Sequence, residues 1–318
     1  MKKVLVTGAA GTVGIQVIRF LLSEGKYEIT ALELKSRRSY KRLKHVRKRI
    51  NIVFGDINDN NLVDALVKTH DYVIHLAGVL PPFANVKDEL CRVIDYEGTK
   101  NIVNSISNYN PKCCLLYASS ASIYGSSSTT GLTVNSEINI DKLDYYSNYK
   151  KKAEDYIKEN IKNYTIFRLA YVLGDPKSET LIYNIKPKTK LETVSSEDAG
   201  YAFVAAIDFF SKLKGKIFNV SGGKKFRTVY ADYLYNLLKN YGLSIRFFST
   251  WLIAEKNYAG GYFKDGNVLD DILHFRSKNL DVYYSSLEIY KYKIGRLLPR
   301  LFALPFILKY KNNDKKRD

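Results

Sequence analysis

Apolar positions along this chain keep two rhythms in alternation, short unbroken runs and runs spaced at three and four. Val4-Leu5-Val6 is a short apolar stretch, predicted as a strand over Lys3 to Val6, and it stops at a glycine turn. From Gly14 to Ser23 the apolar residues Val17, Ile18, Leu21 and Leu22 return at helical spacing. Further strand-like runs are Tyr27 to Leu34, Ile50 to Phe54, Tyr72 to Leu76 and Cys113 to Ala118. Helices are predicted near Asn61 to Lys68 and over Glu89 to Ser107, and again from Tyr146 to about Ile161, followed by a strand from Tyr164 to Val172. Strands alternating with helices imply parallel β-α-β units, and hence an α/β fold built on a doubly wound parallel sheet with helices on both faces. Lys190 to Val194 and Lys216 to Val220 look like later strands around a helix from Ser196 to Phe210, expected to return to that core. Residues 1–170 are therefore assigned to a nucleotide-binding domain and 171–318 mainly to a smaller, aromatic-rich substrate-binding lobe.

Composition narrows the class. At 318 residues, 46% of them hydrophobic, the chain can bury a sizeable core. No apolar run approaches the roughly 20 residues that span a bilayer. The basic and then apolar start meets Gly8 too soon for a signal peptide, so a cytoplasmic location is expected. Cys91, Cys113 and Cys114 make no disulfide framework, and the four histidines show no metal-ligand spacing; no structural metal is expected. The net charge of +18 is densest from Lys35 to Arg49, nine Lys or Arg with no acid. That run reads as a solvated helix face rather than a specific nucleic-acid site. Gly295 to Lys311 is apolar with scattered Arg and Lys, open to weak peripheral contact with an anionic membrane or to a docking role, and Pro299 and Pro305 argue against one long helix there. Trp251, Phe247, Phe248, Tyr258, Tyr262 and Phe263 are read as core packing before cleft lining. Ser126 to Gly131 is a flexible-loop candidate.

The chemistry lies in an ordered series. Gly8, Gly11 and Gly14, with Thr12 and Val13 between the last two, sit between the first strand and first helix. Glycines there allow a tight turn and close backbone approach to a pyrophosphate, which then faces the helix N-terminus. Glu33 ends the second strand, where an acid accepts hydrogen bonds from adenosine ribose hydroxyls and repels the 2′-phosphate of NADP. NAD is accordingly the expected cofactor; Arg37 and Arg38 keep NADP open. Asp56 is placed to meet the adenine amino group, or serves as an ordinary turn aspartate. Tyr146 and Lys150 stand one helical turn apart, so the ammonium can favour the phenolate. Tyr40/Lys44, Tyr96/Lys100 and Tyr235/Lys239 share that spacing, but only Tyr146/Lys150 follows a strand-end serine pair, by about 26 residues. Ser120 is the preferred holder of the substrate oxygen, with Ser119 and Ser122 as neighbouring candidates. The order points to a nicotinamide-dependent enzyme.

Over about residues 1 to 225 these motifs resemble the extended short-chain dehydrogenase/reductase superfamily, in its NAD-dependent epimerase/dehydratase branch. Thr7 to Gly14 is similar to the TGxxGxxG turn, and Gly55-Asp56-Ile57 to the adenine-side segment. His75-Leu76-Ala77-Gly78 resembles the HxAG strand end, whose backbone lines the cofactor. Ser119 to Gly125 resembles SSxxxYG, and Tyr146 to Lys150 with Glu154 the YxxxK helix. Arg168 to Gly174 and Glu197-Asp198-Ala199 resemble later landmarks. The resemblance implies a Rossmann fold, proton exchange by Tyr146, tuning and ribose binding by Lys150, fixing of the reacting oxygen by Ser120, and a homodimer through the helices around 89–107 and 146–161. The substrate would be a hydroxyl or ketone, with a sugar nucleotide the first expectation. Three departures stand out: Asp95 where the family often has Asn, no proline after Arg168, and only about 20 residues between Gly174 and Ser195. The short link keeps a simple dehydrogenase or reductase of a smaller substrate in view, and a non-catalytic cofactor-binding regulator is the reading from another class.

Overall fold

The computed structural model describes residues 1–80, 84, 87–125, 130–142, 144–174, 185–240 and 261–287. Its first half runs β1 (Lys2–Thr7), α1 (Thr12–Glu24), β2 (Tyr27–Glu33), α2 (Arg37–Leu43), β3 (Asn51–Phe54), α3 (Asn60–Val67) and β4 (Tyr72–His75). Local chemistry sets the helix ends. Ser36 and Ser39 form a reciprocal capping box at the start of α2, and Asp59 accepts the Leu62 N–H to open α3. Gly25, left-handed at φ 67°, closes α1.

Then follow α4 (Asp88–Cys91), a π-helical turn (Arg92–Glu97), α5 (Gly98–Tyr109), β5 (Cys114–Ser120), a 3-10 turn (Ala121–Tyr124), β6 (Thr130–Leu132), α6 (Tyr145–Asn160), β7 (Tyr164–Leu169) and β8 (Tyr171–Leu173). The helix expected over 89–107 is thus interrupted by the π turn, a feature that periodicity cannot reveal because the apolar spacing barely changes. The remainder is β9 (Lys190–Ser195), α7 (Ser196–Asp208), α8 (Phe210–Leu213), β10 (Lys216–Val220), a 3-10 turn (Gly223–Phe226), β11 (Arg227–Val229), α9 (Tyr230–Asn240), β12 (Tyr262–Phe263), α10 (Asn267–Leu273) and α11 (Leu280–Leu287).

Seven parallel strands form one sheet in the order β10-β7-β5-β4-β1-β2-β3. Alternate residues of each strand feed opposite layers. Val4, Val6, Ile74 and Leu116 join Val17, Ile18, Leu21 and Phe203 on the α1/α7 face. Leu5, Val73, Leu115 and Tyr117 join Val63, Ile102, Ile106 and Ile157 on the α3/α5/α6 face. Burial on both faces explains why the strands read as unbroken apolar runs. The strand order reverses between β1 and β4, so a crevice opens at their carboxyl ends, where doubly wound sheets bind ligands.

The strand expected over 164–172 is two strands, parting at Ala170: β7 stays in the large sheet while β8 pairs with β9 in a three-stranded sheet ordered β11-β9-β8. The strand near 190, expected in the large sheet, therefore lies in this smaller one, whereas β10 does pair with β7 and α7 packs on α1. Tyr164 to Val172 is one mostly apolar stretch broken by Thr165 and Arg168, and neither marks where the strand changes sheet. A third core (Leu173, Leu191, Phe226, Tyr230, Tyr233, Tyr283) sits with α9 and α11 beyond the large sheet. Phe263 is buried against Tyr124, with ring centroids 6.3 Å apart, while Tyr262 lies under Arg227. Phe247, Phe248, Trp251 and Tyr258, residues 126–129 of the serine-rich loop, residues 175–184 of the short link, and the basic segment from 295 onward lie outside the described residues. No helix among the described residues is long and apolar enough to cross a membrane.

Candidate active site

The crevice floor is the turn between β1 and α1. Gly8 adopts φ +65°, and a Cβ there would lie 2.7 Å from the Ala77 nitrogen; one on Gly14 would lie 2.3 Å from the Gly8 carbonyl oxygen. Side chains at either position would drive β4 or α1 away from the turn. Gly11 donates its N–H to Gly8 O at 2.9 Å and caps α1 with no side chain. The first turn of α1 holds no acid of its own, which leaves the N–H groups of that helical turn to an anion. Thr12 lies against Gly174, and Val13 packs on the adjacent core. Glu33 reaches the same turn: its carboxylate accepts the Ala10 N–H at 2.8 Å and the Leu34 N–H at 3.1 Å. These features fit a dinucleotide, with pyrophosphate at the turn and an acid at the ribose end.

Of the other expected cofactor residues, Asp56 is exposed and its Oδ1 accepts the Asn58 backbone and side-chain amides. Ile57 is buried, its side chain against Gly98 and its carbonyl accepting from Asn101 Nδ2 at 3.2 Å. Arg37 and Arg38 are exposed in the first turn of α2, beyond Glu33.

Beneath the turn runs a buried relay. Thr7 and His75 are register partners at the ends of β1 and β4. Thr7 Oγ1 accepts the Leu76 and Ala77 N–H groups, each at 3.2 Å, and lies 2.7 Å from His75 Nδ1. His75 Nε2 lies 3.0 Å from Thr99 Oγ1, which donates to Asp95 O at 2.7 Å. Thr99 spends its proton on Asp95, so it accepts from Nε2–H, and Thr7 donates to the bare Nδ1. Burial, reinforced by Lys150, drives the His75 pKa down to about 3, which keeps the ring neutral in this tautomer. Sequence reasoning credited this strand end with its backbone and missed its side chains; the only signal was a polar pair closing two adjacent apolar strands.

The chemistry side is built from β5 and α6. Asp144 caps α6 by accepting the Ser147 N–H at 3.0 Å, and this orients a helix whose inner face carries Tyr146, Lys150 and Glu154. Lys150 Nζ donates to Ala118 O at 3.1 Å and lies 3.2 Å from Asp95 Oδ1; its distance to the Tyr146 ring centroid is 5.9 Å. Burial works against the Lys150 ammonium, but Asp95 and Tyr146 outweigh it and hold its pKa above the ordinary lysine value. Ser120 closes β5 and accepts the Ser122 N–H at 3.1 Å. Ser122 in turn accepts from Ser147 at 2.8 Å, fastening this loop beside Tyr146.

The serine pair divides its labour. Ser119 donates to Glu154 at 2.5 Å, and Glu154 forms a bidentate pair with Arg168 at 3.0 and 2.8 Å. Arg168 also donates to Tyr124 at 3.1 Å, Tyr124 donates to Asn219 at 2.7 Å, and Asn219 donates to Asp265 at 2.9 Å. Among the described residues Ser119 gives its proton to Glu154, whereas neither Ser120 nor Ser122, each an acceptor, has an acceptor for its own. A cavity of about 20 Å³, room for a single water, is lined by Ala121, Tyr124, Gly125, Tyr171, Glu192 and Phe263.

Comparison with known proteins bears on the family and the fold. The sequence model of the NAD dependent epimerase/dehydratase family matches residues 4–220. CDP-paratose 2-epimerase of Salmonella typhi is 26% identical over 295 residues, covering 77% of this chain and 86% of that protein. UDP-glucose 4-epimerase of Yersinia enterocolitica is 28% identical over 167 residues, 49% of this chain and 48% of that one. In structure, UDP-glucuronic acid 4-epimerase of Bacillus cereus, solved with UDP-glucuronic acid and NAD, superposes with a TM-score of 0.74 at 18% identity, covering 92% of this chain and 99% of that one. The chain belongs to the NAD dependent epimerase/dehydratase family and is an NAD-dependent enzyme of the extended short-chain dehydrogenase/reductase type.

Proposed function

We propose that this enzyme epimerises or dehydrates a sugar nucleotide, using Ser120, Tyr146 and Lys150 as its catalytic groups. What carries the reading is the convergence of a serine with a proton to donate, a tyrosine and a lysine at the sheet end where the glycine turn lies. NAD, held by Gly8, Gly11, Thr12, Val13, Gly14, Glu33, Asp56, Ile57 and the 76–78 backbone, supplies reversible hydride exchange when bound. Tyr146 takes the proton of the substrate hydroxyl as it becomes a ketone and returns it in the reverse sense. Lys150 stabilises the phenolate and keeps a donor for the nicotinamide ribose. Ser120 donates to the reacting oxygen and fixes its distance from Tyr146. We extend the proposal to a homodimer through α5 and α6, which pack together on one face of the sheet.

The test has two stages. Calorimetric titration of protein stripped of cofactor is expected to show NAD+ binding in preference to NADP+. Sugar nucleotides carrying UDP, CDP or dTDP are then followed by NMR, and one should isomerise or lose water without net NADH. Net NADH formation instead would make the enzyme a simple dehydrogenase, the reading the short 174–195 link favours. Preference for NADP+ would move the 2′-phosphate to Arg37 or Arg38.

A further inference from the structure

We propose that Asp95 is a positioning residue that acts through Lys150 and raises the pH at which Tyr146 exchanges its proton. The inference rests on the catalytic assignment above and adds a determinant to it. Asp95 belongs to the π turn and is fully buried, and the Lys150 it faces at 3.2 Å is nearly so. Its Oδ2 accepts the Val79 N–H at 3.3 Å, while Oδ1 has no hydrogen-bond partner and rests on its charge contact with Lys150. A Cβ on Gly78 would fall 2.6 Å from Oδ1 and 3.1 Å from Nζ, so the glycine clears the space in which the two charges meet.

The groups around Lys150 can be named element by element. α6 supplies Tyr146, and Glu154 one turn on is committed to Arg168. β5 supplies the Ala118 carbonyl and the Tyr117 ring, whose phenol burial keeps neutral. α4 supplies Cys91, its thiol pushed up to about 12 by burial and so also neutral. β4 supplies His75, neutral for the reason given above. Burial pushes the Asp95 carboxyl above the ordinary carboxylate range while Lys150 pulls it back, and of the groups named here it is the one carboxylate in contact with this ammonium.

Its effect has a definite sign. An isolated ammonium beside Tyr146 would favour the phenolate strongly; a carboxylate on the ammonium's other side cancels part of that field and also holds the lysine proton more tightly. Removing the negative charge should therefore lower the pH of both events. One unit charge roughly 6–12 Å away at an effective dielectric of about 20 corresponds to a shift of roughly one to two pH units.

Asp95→Asn keeps the shape and an acceptor for Val79 N–H while removing the charge. Two readouts are taken. The first is the pH profile of kcat/KM, expected to move to lower pH by about one unit or more with both limbs displaced together. The second needs no turnover: the phenolate absorbance of Tyr146, obtained by subtracting Tyr146→Phe from wild type and Asp95→Asn/Tyr146→Phe from Asp95→Asn. The same downward shift is expected there. Coincident phenolate titrations in the two backgrounds would overturn the proposal, even if the enzyme epimerises as described. A shifted titration without conversion of any sugar nucleotide would instead leave Asp95 in place and remove the assigned substrate class. Should Asp95→Asn not fold, Asp95→Ser carries the same expectation. In the wild type itself, infrared spectra at neutral pH should show no protonated buried carboxyl, and such a band would mean that the pair is not ionic.

Discussion

Tyr146 is 6% exposed, and its neighbour Lys150 has its charge tied to Asp95 and Ala118. Tyr146→Phe should remove a proton carrier: turnover falls by about 10²- to 10⁴-fold while NAD affinity stays near wild type, as stopped-flow and calorimetry would show. Unchanged turnover would remove the assigned role. His75 makes a different prediction. Its pKa is about 3 in the folded chain against 6.5 for the free side chain, so between those values the unfolded state binds more protons. Its stability contribution is complete above about pH 6.5 and is lost as pH falls toward about 3. Urea titrations across that window should show a shallower acid dependence in His75→Gln than in wild type. At this scale the sequence was informative about residue types and poor about pairing. Ser120 could be preferred to Ser119 from its place in a motif, but the Glu154 contact that engages Ser119 lies 35 positions away. Thr7 and His75 are 68 apart, a separation that no local rule connects.

Elements were legible wherever burial wrote its own period. β1, β2, β4 and β5, buried on both faces, appeared as apolar runs, and α1 as an amphipathic stripe. The division of Tyr164–Val172 between two sheets and the π turn in 92–97 were not visible, because hydrogen-bond partners and not side-chain polarity decide them. The Arg168–Glu154 pair joins β7 to α6 with both partners almost fully buried. Arg168→Met leaves the Glu154 carboxylate uncompensated, and a loss of about 3–5 kcal/mol in chemical denaturation is expected. A loss below about 1 kcal/mol would mean that Ser119 and water satisfy Glu154 unaided. Ser195→Ala is the milder comparison: it removes the hydroxyl that accepts the Asp198 N–H at the start of α7, and should cost about 1 kcal/mol.

For the molecule as a whole, a ligand that binds only the folded state stabilises it by mass action. NAD+ at about 100 times its dissociation constant should add about 2.7 kcal/mol and raise the melting temperature by several degrees. Glu33→Ala should shrink that increment for NAD+ and enlarge it for NADP+, measured side by side by scanning fluorimetry; equal increments before and after would detach Glu33 from the ribose. Light scattering should return twice the 36.4 kDa chain mass if α5 and α6 form the dimer face.

The Thr7–His75–Thr99 relay has one more consequence. Its polarity is set at both ends, by two amides entering Thr7 and one carbonyl closing on Thr99, so the ring between them has a single direction. The chain holds only four histidines, and His75 is the one wedged under the dinucleotide turn. Its two ring nitrogens are a built-in spectroscopic gauge: a ¹⁵N spectrum of selectively labelled protein would watch the floor of the crevice tighten as a cofactor arrives, with no dye attached and no residue replaced.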